Sequence, residues 1–271
     1  MGFQERTDEP WAFIAPFLPP RAKTGRPRVE DRKVLHGILD GRVAGCRWCD
    51  RPRPYGAYQT AWRRFPELQE KGVWHQILPS LLDWGYTLGK VKVEAVAVDS
   101  TRVEAKKGGK GLGIDGHKRR KGTKARVWVN EDGLSLSVVV GPGNEHDRRR
   151  FEEVLGGLRV KKSGRGRART RPKVVYADAA DDAKAIREGL RRRGIRAGIP
   201  KNPRRGKRTR GGKRAFRRRK ADRKARSSVE RFFGWRKGGF RRWTVQHERR
   251  LSTFLAFVLL ACSLIAWRIL R

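Results

Sequence analysis

Acidic residues are scarce in this chain of 271 residues. Asp and Glu number 27 against 67 Lys and Arg, and the formal net charge is +40. A compact fold with such an excess repels itself, and a bound polyanion relieves that repulsion. Nucleic acid is therefore the expected partner, and a charge-rich surface without a ligand is the alternative.

Cysteine is also scarce, with only Cys46, Cys49 and Cys262. So few thiols exclude a disulfide framework and indicate a reducing compartment. Cys46 and Cys49 form a C-x-x-C pair, which hints at zinc. No second ligand pair follows at a matching spacing, so two packed thiols are the favoured interpretation.

Long apolar runs are limited to LSTFLAFVLLACSLIAWRIL at residues 251–270. A membrane anchor needs about 20 such residues. Arginines bracket this run and serines interrupt it, so a buried helix that closes the core is favoured over an anchor. The N-terminal MGFQERTDEP has no signal-peptide character, and no membrane partner is expected.

The periodicity of apolar residues changes near residue 91. Residues 8–85 have helical spacing, with boundaries left open near Pro66 and Pro79. From 91 onward the pattern predicts three strands (VKVEAVAVDST, ARVWVNEDG and LSLSVVVGPG), then helix, strand, helix, strand, helix. This order predicts an α/β sheet that begins antiparallel and continues parallel. We divide the chain into a helical region (1–90), an α/β core (91–247) and a C-terminal apolar helix (248–271).

Two aspartates occupy corresponding positions at the ends of predicted strands. Asp99 ends VAVD and Asp178 ends VVYAD. Sites in open α/β sheets form outside the carboxyl ends of strands, and neighbouring strands lie about 4.8 Å apart. Two carboxylates that close repel each other unless a proton or a cation intervenes. Magnesium prefers carboxylate oxygen, so a metal site for phosphodiester chemistry is one interpretation.

Glu230 is the candidate third acid. On a helix it shares one face with Arg226 and Lys237, so that face offers one metal ligand and two cations for phosphate. The alternative is a solvated Arg–Glu pair worth a few tenths of a kcal/mol.

Several motifs, taken in order, are similar to those of one family. VAVDST, GHKRRKGTK, VVVGPGNEHD, YADAA and RSSVERFFGWRKGGFRR resemble the DDE transposases of bacterial and archaeal insertion sequences, most closely insertion-sequence family five. The resemblance implies an RNase H-like fold in which Asp99, Asp178 and Glu230 bind two Mg²⁺ ions, with Mn²⁺ as a substitute. It implies that Arg226 and Lys237 contact the DNA backbone at the transposon end. It also implies a homodimer or higher oligomer on paired ends, in the nucleoid of a prokaryotic cytoplasm.

Three positions depart from the family's pattern. Asp181 and Arg223 replace aromatic residues, and Asp40 replaces an apolar or aromatic one. Because the first two changes carry opposite charge, we hypothesise an Asp181–Arg223 pair. Asp182 is expected to start a helix, where the helix dipole favours it.

Basic segments predict the remaining contacts to double-stranded DNA. The predicted residues are Lys118, Arg119, Arg120, Lys121 and Lys124 near GHKRRKGTK, and Arg63 and Arg64 in AYQTAWRRF. The alternatives are a mobile solvated loop for the first group and a core-packing helix with a solvated face for the second. The predicted function is DNA cleavage and strand transfer by a transposase that binds terminal inverted repeats. A catalytically decayed DNA-binding protein and a basic RNA-binding protein are the rivals.

Overall fold

The computed structural model describes residues 8–20, 23–25, 27–115, 119–202 and 220–271. The first part of the chain is helical, as the apolar spacing predicts. It contains helices α1 (Asp8–Ile14), α2 (Asp31–Ala44), α3 (Tyr58–Glu70) and α4 (Val73–Thr87). Pro66 lies inside α3 and Pro79 inside α4, so neither proline ends its helix.

A mixed sheet with flanking helices follows. Its strands are β1 (Ala95–Ala105), β2 (Gly113–Ile114), β3 (Lys121–Asn130), β4 (Ser135–Pro142), β5 (Val174–Tyr176), β6 (Arg196–Gly198) and β7 (Val245–Gln246). The later helices are α5 (Asp147–Gly156), α6 (Lys184–Arg192), α7 (Lys220–Gly239), α8 (Arg241–Thr244) and α9 (Leu251–Leu270). The order of the long helices and strands along the chain matches the prediction. The two-residue strands β2 and β7 were not predicted.

Within the described residues the sheet has seven strands, with β1 between antiparallel β3 and parallel β5. β4 pairs with the outer side of β3, and β6 runs parallel to β5. β1 is long because β3 accompanies it as far as Glu104, whereas β5 pairs only with Ala95, Val96 and Ala97. This arrangement confirms the predicted sheet with an antiparallel beginning and a parallel continuation.

The C-terminal helix α9 lies in the core. It packs against α3, α4 and β4, and the ring of Phe257 stacks on Phe65 at 4.2 Å. α9 is long and apolar enough to cross a membrane, but 72% of its most apolar stretch is buried inside the protein. Such burial is what a core helix shows, and α9 thereby joins the helical region and the sheet into one apolar core.

The cysteines are free thiols in different surroundings. Cys262 is buried in α9, Cys46 is half-buried and Cys49 is exposed. Burial raises the pKa of the Cys46 thiol. The interpretation of two packed thiols is therefore wrong for Cys49, because the turn formed by Trp48–Asp50 directs it to solvent.

Candidate active site

Strand pairing brings Asp99 and Asp178 together. The last paired residues of β1 and β5 are Ala97 and Tyr176, and each aspartate follows two residues later. Residues two apart on a strand point to the same face of a sheet. The two carboxylates therefore leave neighbouring strands at matching positions on one face. Asp99 is not at the end of its strand, since β1 continues along β3.

The backbone turns sharply at Asp178. Its Oδ1 accepts a hydrogen bond of 2.7 Å from the backbone N–H of Ala179 and caps the short 3₁₀ helix Ala179–Asp181. Asp99 makes the same contact with the N–H of Ser100, at 2.7 Å. Each carboxylate is thus oriented by its own backbone, and both remain largely exposed.

Helix α7 covers this part of the sheet and supplies Glu230. Ala225, Val229 and Phe232 are buried at helical spacing and form the face that packs on β1, β3 and β5. Arg226 and Glu230 each follow a buried residue, so they lie at the edge of that face. The Arg226 Nη1 lies 4.0 Å from Asp178 Oδ1.

These side chains line one small cavity of about 60 Å³. Its walls comprise Ala97, Val98, Asp99, Tyr176, Ala177, Asp178, Arg226, Val229 and Glu230. Since about 10–15 Å³ holds one water molecule, the cavity has room for several water-sized species. Carboxylate oxygens open to solvent are donors that fit a hard divalent cation. Within the described parts of the chain, however, no group of three His, Cys, Asp or Glu side chains is arranged to hold a metal ion.

The other predicted DNA contacts have different surroundings. Lys237 is exposed on α7, two turns beyond Glu230, and does not line the cavity. Arg119 and Lys121 are exposed, and Arg120 pairs with Glu104 at 2.7 Å. Lys118 lies outside the described residues, as do positions 203–219 of the basic linker.

Lys124 and Arg64 are engaged within the protein. The Lys124 ammonium donates to the backbone carbonyl of Glu145 at 3.1 Å. Arg64 is buried and forms an ion pair with Asp31. The prediction that Arg64 contacts DNA is therefore wrong for this structure, whereas Arg63 next to it is exposed.

The aspartates that follow Asp178 have separate roles. Asp181 is buried at the end of the 3₁₀ helix. Its proposed partner Arg223 belongs to α7, but that side chain lies outside the described part. Asp182 precedes α6 and accepts hydrogen bonds from Arg187 Nε at 2.7 Å and from the backbone N–H of Asn202 at 2.6 Å. Side-chain and loop contacts, more than the helix dipole, account for its position.

Basic side chains of β1 and β3 hold the loop that follows β4, and the sequence analysis did not predict these contacts. Arg102 donates to the carbonyl of Gly143 at 3.3 Å, and Arg126 donates to the carbonyl of Glu145 at 2.9 Å. Arg126 is nearly fully buried and also faces the Glu145 carboxylate at 3.5 Å. The cross-strand neighbours Arg102 and Lys124 thus hold GPGNEHD from the sheet side. The sequence feature that could have predicted these contacts is the presence of basic residues at alternating positions of a strand.

The mixed sheet carries Asp99 and Asp178 on neighbouring strands, as expected for the RNase H-like fold that the sequence resemblance implies. Comparisons with known proteins name the family. The protein-family model described as "Transposase DDE domain" matches residues 92–266. A second family model, described as "Putative transposase of IS4/5 family", matches residues 7–78. The chain therefore belongs to the DDE-domain transposases of insertion sequences. Transposase DDE domains generally use divalent metal ions.

Two relatives come from Burkholderia cepacia. The "Insertion element IS402 uncharacterized 16.2 kDa protein" is 37% identical over 113 residues, which are 39% of this chain and 77% of that protein. The "Putative transposase for insertion sequence element IS402" is 32% identical over 152 residues, which are 56% of this chain. The match spans 66% of that second relative, just under two thirds of its length.

Proposed function

We propose that this transposase binds the terminal inverted repeats of its element and catalyses Mg²⁺-dependent DNA strand cleavage and strand transfer. The observation that carries the proposal is the single cavity that Asp99, Asp178 and Glu230 line together with Arg226. Water attacks the phosphodiester at the end of the element and frees a 3′ hydroxyl. That hydroxyl then attacks target DNA, so no covalent link between protein and DNA forms.

In this proposal the acidic side chains bind the metal ion and the basic side chains bind phosphate. Asp99 and Asp178 would hold Mg²⁺, and Glu230 on α7, which lines the same cavity, would complete the ligand set. Bound Mg²⁺ supplies Lewis-acid stabilisation and lowers the pKa of water at that position. Arg226 lies 4.0 Å from Asp178, where its guanidinium can hold a non-bridging phosphate oxygen. Lys237 contacts the backbone further along the DNA.

Cleavage of a duplex that carries the inverted repeat tests this proposal. We expect Mg²⁺-dependent nicking by the wild type, and a loss of about 10³-fold or more in Asp99→Asn, Asp178→Asn and Glu230→Gln, because charge stabilisation at the phosphate is the main catalytic contribution. DNA affinity in the absence of metal should not fall in these variants, since they remove negative charge. Glu188→Gln, at a partly exposed carboxylate of α6 that does not line the cavity, is the matched control and should cleave normally.

The principal rival is a catalytically decayed DNA-binding protein. Among the described residues, no three acidic side chains are arranged to hold a metal ion, and this observation favours the rival. Wild-type protein that binds the repeat but never cuts it with Mg²⁺ or Mn²⁺ would support the rival and contradict the proposal.

A further inference from the structure

The first turns of α3 present a polar and aromatic face to solvent. Tyr58, Gln59, Trp62 and Arg63 are exposed, with 39% of Tyr58 and 55% of Trp62 accessible. We call these four residues the α3 face. Val29, which is 41% exposed, lies beside the segment that leads into α3 and extends the apolar part of this surface. An indole left this exposed beside other apolar groups is typical of an interaction surface.

The opposite side of α3 is fixed firmly to the core. The buried Arg64 pairs with Asp31 at the start of α2. The Phe65 ring lies 5.2 Å from that of Trp74 and 4.2 Å from that of Phe257. The Trp74 indole also donates to the carbonyl of Phe65 at 3.1 Å. The α3 face is therefore held rigidly, which lowers the entropic cost of binding.

Charge is distributed unevenly along α3. Its first turn contains no acidic residue, and its N-cap residue Ala57 makes no side-chain cap. Glu67 lies at the far end, where it pairs with Lys71 at 2.7 Å. The helix dipole and Arg63 therefore make the beginning of α3 attractive to phosphate.

We propose that the α3 face is the surface that reads the sequence of the terminal repeat in the major groove. This inference rests on the proposed function, in which the protein binds the ends of its element. A Gln amide forms paired hydrogen bonds with the edge of adenine, and an Arg guanidinium does so with guanine. Gln59 and Arg63 thus contact base edges, and Trp62 packs against the methyl group of thymine. The remaining basic residues contact phosphates and position the helix without reading sequence.

The test compares two duplexes bound by the full chain. One carries the element's terminal repeat, read from the DNA that flanks the coding region, and the other carries the same bases in scrambled order. We expect Gln59→Ala, Trp62→Ala and Arg63→Ala each to reduce the ratio of the two affinities by about tenfold, the size of one good base contact. Affinity for the scrambled duplex should stay constant in Gln59→Ala and Trp62→Ala.

Exposed residues of α4 and of its C-terminal end provide matched controls. Leu88→Ala and Gln76→Ala remove side chains of similar character outside the α3 face, and the affinity ratio should be unchanged. If the wild type prefers the repeat and all three α3 variants keep that preference, the inference fails and the proposed function stands. If the wild type shows no preference, both fail. If Trp62→Ala keeps the preference and instead converts dimers to monomers, the face contacts a second copy and the inference is overturned.

Discussion

At the scale of single residues, the buried guanidinium of Arg51 leaves no room for a side chain at Gly37. Gly37 lies inside α2, where alanine is usually better than glycine by about 1 kcal/mol. A Cβ at this position would overlap the buried guanidinium of Arg51 and lie 2.8 Å from Tyr55 Cβ. We expect Gly37→Ala to lower the free energy of unfolding by about 1–2 kcal/mol, because overpacking costs more than helix propensity returns. Urea titration measures the difference.

Gly234 on α7 is the control for that change. A Cβ there meets no atom within 4 Å, so Gly234→Ala should raise the free energy of unfolding by up to about 1 kcal/mol. Equal gains in stability from both substitutions would show that Arg51 moves aside without cost, contrary to our expectation.

Residue positions were predictable where local periodicity fixes them. Asp99 and Asp178 follow apolar strand runs, so the sequence alone placed them at corresponding positions. Arg64 was not predictable, because a basic residue beside exposed Arg63 gives no local sign of a buried partner 33 positions earlier. Asp182 is similar, since its contact with the backbone of Asn202 depends on how the chain returns after β6.

At the scale of elements, Glu131 in the β3–β4 turn attaches helix α7 to the sheet. Its carboxylate accepts from Lys224 at 2.9 Å, and its carbonyl accepts from Arg231 at 3.3 Å. Trp235 packs over Gly133, 3.2 Å from where a Cβ would lie. Because α7 carries Glu230, this attachment also supports the candidate site. We expect Glu131→Gln to lower the free energy of unfolding at pH 7 by about 1 kcal/mol, as for a partly exposed ion pair.

The pH dependence of the stability lost in Glu131→Gln is a further check. The hydrogen bond from Lys224 holds the pKa of Glu131 below its ordinary value. A depressed pKa stabilises the fold above the unfolded-state value, about 4.3, and that contribution disappears as pH falls through the folded-state value. The difference between wild type and Glu131→Gln should therefore vanish in acid. A difference that persists there would contradict the role of this ionised carboxylate.

The order of the long elements was predictable from the alternation of apolar periods, but their partners were not. The sequence pattern suggested that Asp99 ends a strand, whereas β1 continues to Ala105, paired with β3 as far as Glu104. The strands β2 and β7 have two residues each, too few for any periodicity. Pairing depends on tertiary packing, which a local pattern does not contain.

At the scale of the whole molecule, one apolar core carries a strongly cationic surface. α9 contacts both α4 and β4, so the α3 face and the candidate site belong to one connected body. If the proposed function holds, a net charge of +40 should make phosphate contacts the main source of DNA affinity. The proposed preference for the terminal repeat would then add to a large binding affinity that does not depend on DNA sequence.

This background predicts a steep dependence of DNA binding on salt. About six to ten phosphate contacts release that many counterions, so affinity should fall by about 10³-fold or more between 50 and 200 mM salt. Fluorescence anisotropy with a labelled duplex measures the slope. The slope should be similar for repeat and scrambled duplexes, because base contacts release few ions, and Trp62→Ala should leave it unchanged. Nearly constant affinity across this range would mean that the positive charge does not face DNA, and would contradict this account of how the protein is held on its substrate.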